Sequence, residues 1–190
     1  MNKAAFYKTV RAKLGSLSQR QVNGFEEVLG AIEGLPLSHQ AYALATVWHE
    51  TAETMEPVRE GLNASDTWRK KNLRYYPWYG RGYVQLTWES NYKTADREAS
   101  KAGLIKEGEL LKNPDLAMRP DVSAFILRNG MVRGWFSGKK LSDYLPEKGV
   151  ATRDQYMQAR RIINIMDKAD LIEDYAQVFE KGLRDAGITE

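Results

Sequence analysis

Apolar residues along the 190-residue chain recur mostly at helical spacing. Ser18-Gln-Arg-Gln21 has the pattern of a capping box, with Ser18 as N-cap and Gln21 reaching back to it. Behind it Val22, Phe25, Val28, Leu29 and Ile32 share a face, and Gly34 is the stop. Ser38 is placed to cap a second helix carrying Ala41, Leu44, Ala45 and Trp48. Pro57 predicts its end close to Glu56, because the residue before a proline avoids the α region. Residues 61–82, rich in Gly, Asn and Pro, read as irregular and lead into Tyr83–Trp88, whose alternation predicts a short strand. A helix is expected from Asn91 or Thr94 to Gly103, another from Pro120 through Val132, and a third from a second capping box, Thr152-Arg-Asp-Gln155. Asn113-Pro114 marks a loop, and residues 137–151 a loop with one helical turn around Leu141–Leu145. A final amphipathic helix presents Ile172, Tyr175, Val178, Phe179 and Leu183 and stops at Gly187. The sum is a mainly α fold with a small β element (α+β). It reads as one domain over residues 1–190, with residues 1–35 a helical lead-in packed on the rest.

Composition narrows the classes. With 43% hydrophobic and 28% charged residues the chain is neither disordered nor membrane-embedded, and no apolar run is long enough to insert in a bilayer. The absence of cysteine excludes a disulfide framework, a thiolate nucleophile and a cysteine-based zinc site. A net charge of +3 suits an anionic partner such as a bacterial wall. No nucleic-acid reading motif accompanies it, so nucleic acid is not an expected partner. Five tryptophans and ten tyrosines could line a groove for flat sugar rings. The start, MNKAAFYKTVRAKLG, has no apolar signal region, so the expectation is synthesis in the cytoplasm without a signal peptide.

The stretch Trp48-His-Glu-Thr-Ala-Glu-Thr-Met-Glu-Pro-Val-Arg-Glu60 concentrates candidate chemistry. A zincin helix needs a second histidine one turn after His49, where Glu53 stands instead, so no metal or cofactor is expected. The remaining readings are a solvated helix end and the acid–base pair of a glycosidase. The latter needs two carboxylates, about 5–5.5 Å apart for retention of configuration or about 6.5–9.5 Å for inversion. On one helix Glu53 would lie roughly 5–6 Å from Glu50, whereas Glu60, beyond the proline, can fold back across a cleft. Glu50, close to the buried face that carries Trp48, is the better candidate for the acid.

The segment Tyr79-Gly-Arg-Gly-Tyr-Val-Gln-Leu-Thr-Trp-Glu-Ser-Asn-Tyr92 resembles the Y-G-R-G-x-x-Q-L-[ST]-x-x-x-N-Y signature of family 19 glycoside hydrolases, chitinase-like enzymes of the lysozyme-like superfamily. In order along the chain, His49-Glu50-Thr51 resembles the family's H-E-T element, Leu111-Lys-Asn-Pro-Asp-Leu116 its L-x-N-P-D-L segment, and Arg161-Ile-Ile-Asn164 its later R-I-I-N element. The resemblance implies a bilobal helical domain with a substrate cleft, Glu50 as general acid, and Thr87 as the hydroxyl that helps hold the nucleophilic water. It further implies Gln85, Asn91 and Asn164 as substrate contacts. Gln85 and Thr87 could instead satisfy backbone groups. Tyr79 and Arg81 could touch sugar or shape the turn, and Trp78 and Trp88 are available for ring contact.

The second carboxylate is implied by compact phage and bacterial members, whose H-E-T-A-x-x-M-x-P-[VI]-R-E run this chain shares through Glu60, with Glu53 and Glu56 as the alternatives. Ile165 departs from the glycine common in relatives and is expected to narrow the cleft near Asn164. The likeness to phage endolysins implies a monomeric, inverting hydrolase of β-1,4 bonds in peptidoglycan, reaching the wall after holin-type release. A chitinase and a noncatalytic wall-binding or virion protein on the same fold are the alternatives.

Overall fold

Helix α3 (Leu37–Glu50) is buried around nearly its whole circumference, from Leu37 to Trp48. A helix without a solvent face needs neighbours on every side. In this structure, a computed structural model that describes residues 1–189, α2 (Gln19–Ile32), α7 (Pro120–Arg133) and α9 (Ala169–Asp185) provide them. Helices α1 (Lys3–Leu14) and α8 (Arg153–Ala159) pack on α9 in turn. Phe6, Val10 and Phe25 therefore join the same apolar cluster as Trp48 and Phe179. Phe25 stacks on Trp48 at 5.7 Å between ring centroids and meets Phe179 at 5.6 Å. Such contacts add to the gain from removing large apolar rings from water.

Further elements are α4 (Asp66–Asn72), α5 (Glu89–Lys101), α6 (Glu109–Lys112) and a 3-10 turn over Pro114–Met118, of which α5 and the turn pack on α7. They accompany a two-stranded antiparallel sheet in which β1 (Val58–Arg59) sets Val58 opposite Gly82 and Arg59 opposite Arg81 of β2 (Arg81–Gly82). The chain is 60% helical, and this is the one sheet among the described residues, so the fold is mainly α with a small β element.

Both capping boxes form reciprocally. Ser18 Oγ accepts from Gln21 N and Gln21 Oε1 from Ser18 N, and Thr152 and Gln155 repeat the arrangement. Four expectations are corrected. Ser38 does not cap α3: its hydroxyl donates to the Pro146 carbonyl at 2.7 Å, and Pro36 occupies the cap. Nor does α3 run to Glu56. Thr51 Oγ1 donates to the Val47 carbonyl and accepts from Met55 N, and Ala52, Glu53 and Met55 turn into the left-handed region, so the helix ends at Glu50. The strand expected over Tyr83–Trp88 is a tight turn, with Gln85 and Trp88 at positive φ, and only Arg81 and Leu86 bridge across it. Helix α5 accordingly begins at Glu89, before either expected start.

His39 generates a prediction. It is 5% exposed, 3.3 Å from the Leu145 carbonyl, and burial lowers its pKa below the ordinary 6.5, an effect the carbonyl only partly opposes. The unfolded chain then binds a proton that the folded chain refuses, so stability rises with pH through this window and falls as pH drops below about 6.5. In urea titrations at about pH 7.5 and about pH 5.5, His39→Gln is expected to shrink the difference in unfolding free energy between the two conditions. An unchanged difference would remove His39 from the account.

Candidate active site

A cleft of about 480 Å³ brings together five separate stretches of chain. Glu50 enters from the end of α3, Glu60 and Tyr75 from the segment around β1 and α4, and Gln85, Thr87, Trp88 and Asn91 from the turn before α5 and its first residues. Val84, Phe136 and Ile163 supply apolar surface beside Asn164.

Glu50 owes its position to the abrupt end of α3 and to Arg160. Arg160, only 2% exposed, donates from Nη1 to Glu50 Oε1 at 2.7 Å and from Nε to the Asp167 carbonyl at 2.9 Å. The Glu50 side chain is 13% exposed, and its Oε2 has no partner among the described residues. One oxygen is thus clamped and the other left for a ligand. Tyr42, two helical turns earlier, is buried with its hydroxyl unpartnered, and burial pushes that hydroxyl well above its ordinary range while nearby Arg160 opposes the shift.

Glu60 is anchored differently. Tyr75 donates to its Oε1 at 2.5 Å and the Gly80 amide to its Oε2 at 2.9 Å, while its own amide reaches the Gly80 carbonyl. Burial and the hydrogen bond to Glu60 push the Tyr75 phenol up to about 12, so it remains a donor at neutral pH. Gly80 admits this packing because a Cβ there would stand 2.7 Å from Gln85 Oε1 and 3.2 Å from Gln85 Cβ. Gly82, at φ +82°, would set a Cβ 2.8 Å from the Ala117 carbonyl, so the left-handed turn and the close approach both require glycine.

The turn spends most of its donors on itself. Gln85 donates to the Val58 and Gly82 carbonyls, Thr87 to the Gln85 carbonyl at 2.7 Å, and Asn91 to the Thr87 carbonyl at 2.9 Å. What they leave unspent is mostly acceptors, Gln85 Oε1, Asn91 Oδ1 and the Thr87 lone pairs, together with the second N–H of Asn91. A ligand rich in N–H and O–H groups complements such a surface. Trp88, 47% exposed, offers a ring beside Tyr75 at 4.9 Å, with the Arg74 guanidinium 5.7 Å from its centroid.

Seven of the nine residues singled out in the sequence line this cleft: Glu50, Glu60, Gln85, Thr87, Trp88, Asn91 and Asn164. Tyr79 and Arg81 do not. They are 2% and 4% exposed, with the Arg81 guanidinium 3.6 Å from the centre of the Tyr79 ring. Arg81 donates to Asp115 at 2.7 Å and to the Pro77 and Tyr79 carbonyls, because a buried guanidinium must have its donors matched. Asp115 also pairs with Arg59, and although burial acts to raise its pKa, the two arginines hold it below the usual carboxylate range. The Asn-Pro-Asp motif therefore fixes the turn from behind.

Glu53 and Glu56 are exposed and outside the cleft, and Tyr175 donates to Glu53 at 3.3 Å. Ile165 does not narrow the cleft: its side chain is 76% exposed on the far side of Asn164. Sequence reasoning missed Arg160 and Tyr75. The Arg160-Arg161 doublet was a signal for the first, but which arginine turns inward is decided by packing.

No protein-family model matches the chain and no curated protein does. Among solved structures, chitinase C from Streptomyces griseus HUT6037 aligns at a TM-score of 0.50 with 18% identity, over 98% of this chain and 76% of that one. A bacterial family 19 chitinase aligns at a TM-score of 0.47 with 23% identity, over 97% of this chain and 94% of the other. The chain shares the fold of the Streptomyces griseus chitinase C.

Two outcomes follow from the anchors. Arg160→Met strands a largely buried carboxylate and is expected to cost about 3 kcal/mol in urea unfolding, with Glu50→Gln in the same background recovering part of it. Simple additivity of the two substitutions would show that the ion pair does not set the position of Glu50. Gly82→Ala should cost about 1–3 kcal/mol through its left-handed backbone and the Ala117 contact; a neutral effect in the same assay would contradict that account.

Proposed function

We propose that this protein is a glycoside hydrolase that cuts β-1,4 bonds of bacterial peptidoglycan with inversion at the anomeric carbon. The observation that carries the reading is the convergence of Glu50 and Glu60 on one cleft with unlike anchors. An inverting glycosidase needs one carboxyl group to protonate the leaving oxygen and a second to activate water on the other face of the ring. Glu50, clamped by one oxygen and open at the other, serves as the acid. Glu60, oriented by Tyr75 and the Gly80 amide, serves as the base. Thr87, whose proton is committed to the Gln85 carbonyl, accepts a hydrogen bond from the attacking water.

In this reading the polymer is held without cofactor or metal chemistry. The acceptors of Gln85 and Asn91 take acetamido N–H or hydroxyl donors, Asn164 contacts the chain beyond them, and Trp88 lies against a sugar face. The protein works as a monomer on an extended substrate. In the phage setting that the sequence resemblance implies, it is made in the host cytoplasm and meets the wall through a holin-type lesion.

The charge-neutral variants Glu50→Gln and Glu60→Gln should each lower the rate of reducing-end release by about 10²–10⁴-fold while remaining folded, and Glu53→Gln should leave it near the parent value. A folded Glu50→Gln protein with full activity would sink the assignment. Proton NMR of the first product should show the α-anomer before mutarotation; an initial β-anomer would exclude inversion. Tyr75→Phe, which deletes one donor to Glu60, should lower kcat more than it raises KM.

A further inference from the structure

Past Asn164 the groove does not close. Ile163 and Asn164 line both the main cleft and a second basin of about 330 Å³, whose other walls include Lys139, Tyr144, Arg161 and Ile165. The basin is built on a held backbone. Ser137 Oγ donates to the Arg161 carbonyl at 2.7 Å and the Ile162 carbonyl at 2.9 Å, and Asn164 Oδ1 accepts from Ile165 N at 2.8 Å.

The electrostatic character reverses across Asn164. The cleft carries two carboxylates, whereas no carboxylate lines the basin. Asp143, the acid close by in sequence, is turned to the Lys140 amide at 2.9 Å. Arg161 gives Nε to Gln158 at 3.0 Å, and its terminal nitrogens have no partner among the described residues; Lys139 forms no ion pair there either. Ile165, at 76%, is the most exposed large apolar side chain among the described residues. An uncharged homopolymer of amino sugars gains nothing from two free cations beside an exposed aliphatic group. A glycan that bears a short acidic peptide does.

Resting on the glycosidase reading above, we propose that this basin receives the acidic peptide stem that branches from the lactyl ether of peptidoglycan. Lys139 and Arg161 pair with its carboxylates, and Tyr144 and Ile165 pack on its aliphatic part. The basin is the element that prefers peptidoglycan to chitin.

The test compares the parent protein with a Lys139→Gln/Arg161→Gln double variant on three soluble substrates: stem-bearing glycan strands, the same strands after an amidase has removed the peptides, and N-acetylglucosamine oligomers. On stem-bearing strands the double variant should raise KM by about threefold to tenfold, the size expected of two exposed ion pairs, with kcat unchanged and the gap closing in added salt. The other two substrates should not distinguish the proteins. An equal KM change on amidase-treated strands would assign the anion to the lactyl carboxylate and overturn the peptide proposal. An equal change on the oligomers would overturn any carboxylate site.

If the parent cuts none of the three, the glycosidase reading fails, and a direct titration still decides the basin. Muramyl tripeptide added to isotopically labelled Glu50→Gln protein should shift Lys139, Arg161 and the Ile165 methyl resonances. Absence of those shifts, or an undiminished Ile165 methyl shift in the double variant, would reject the site.

Discussion

A guanidinium taken out of water has to find acceptors, and the architecture of the cleft follows from where two buried arginines find theirs. Arg160 ties the segment through Asp167 to the last residue of α3, spanning 110 positions of sequence to Glu50. Arg81 ties the turn beyond β2 to Asp115, 34 positions away. Each arginine thus fastens a functional segment to a helical scaffold that could not otherwise dictate its geometry. Breaking either pair would leave a charge that the surrounding apolar packing cannot solvate, so each interaction defends its own distances.

Around this frame the side chains sort by what they have left after internal bonding. Gln85, Thr87 and Asn91 give their donors to backbone carbonyls of a turn with little regular structure of its own. Those bonds hold the turn in a conformation that includes left-handed Gln85 and Trp88. The two readings that the sequence allowed for Gln85 and Thr87, backbone support and ligand contact, are therefore compatible. A donor of each group supports the backbone, and acceptor capacity is left over on residues that line the cleft. A surface of acceptors with one exposed indole suits a polyhydroxylated, N-acylated ring better than it suits an anion.

How much of this was legible in the sequence depended on how local each feature is. The capping boxes at Ser18 and Thr152 are read within four residues and formed as expected, and the long amphipathic helices followed their apolar period. The end of α3 was misplaced because Pro57 is a visible breaker, whereas the hydroxyl bonds of Thr51 and the left-handed residues after it terminate the helix six residues earlier. The supposed strand at Tyr83–Trp88 alternates as strands do, yet its backbone answers to a Gly82 contact with the Ala117 carbonyl that no local pattern encodes. Seven candidate site residues reached the cleft because the motifs that flagged them hold both the scaffold and the lining. Tyr79 and Arg81 belong to the scaffold half of that set. Arg160 and Tyr75 stayed hidden because an inward-facing arginine and a phenol bonded to a distant carboxylate are products of tertiary packing.

The unlike anchoring of the two glutamates also separates what the cleft does from what it discriminates. Clamping one oxygen of Glu50 and both oxygens of Glu60 fixes the orientation of both carboxylates, and on the proposed reading neither anchor senses what hangs from the sugar rings. On the proposed reading, discrimination among β-1,4 amino-sugar polymers falls to the margins, where a branch leaves the ring and meets the protein outside the reacting centre. The margin beyond Asn164 differs from the centre in charge, with cations where the centre has acids. A weak, solvent-screened attraction there cannot distort the reacting bond, but it can raise the occupancy of one polymer over another.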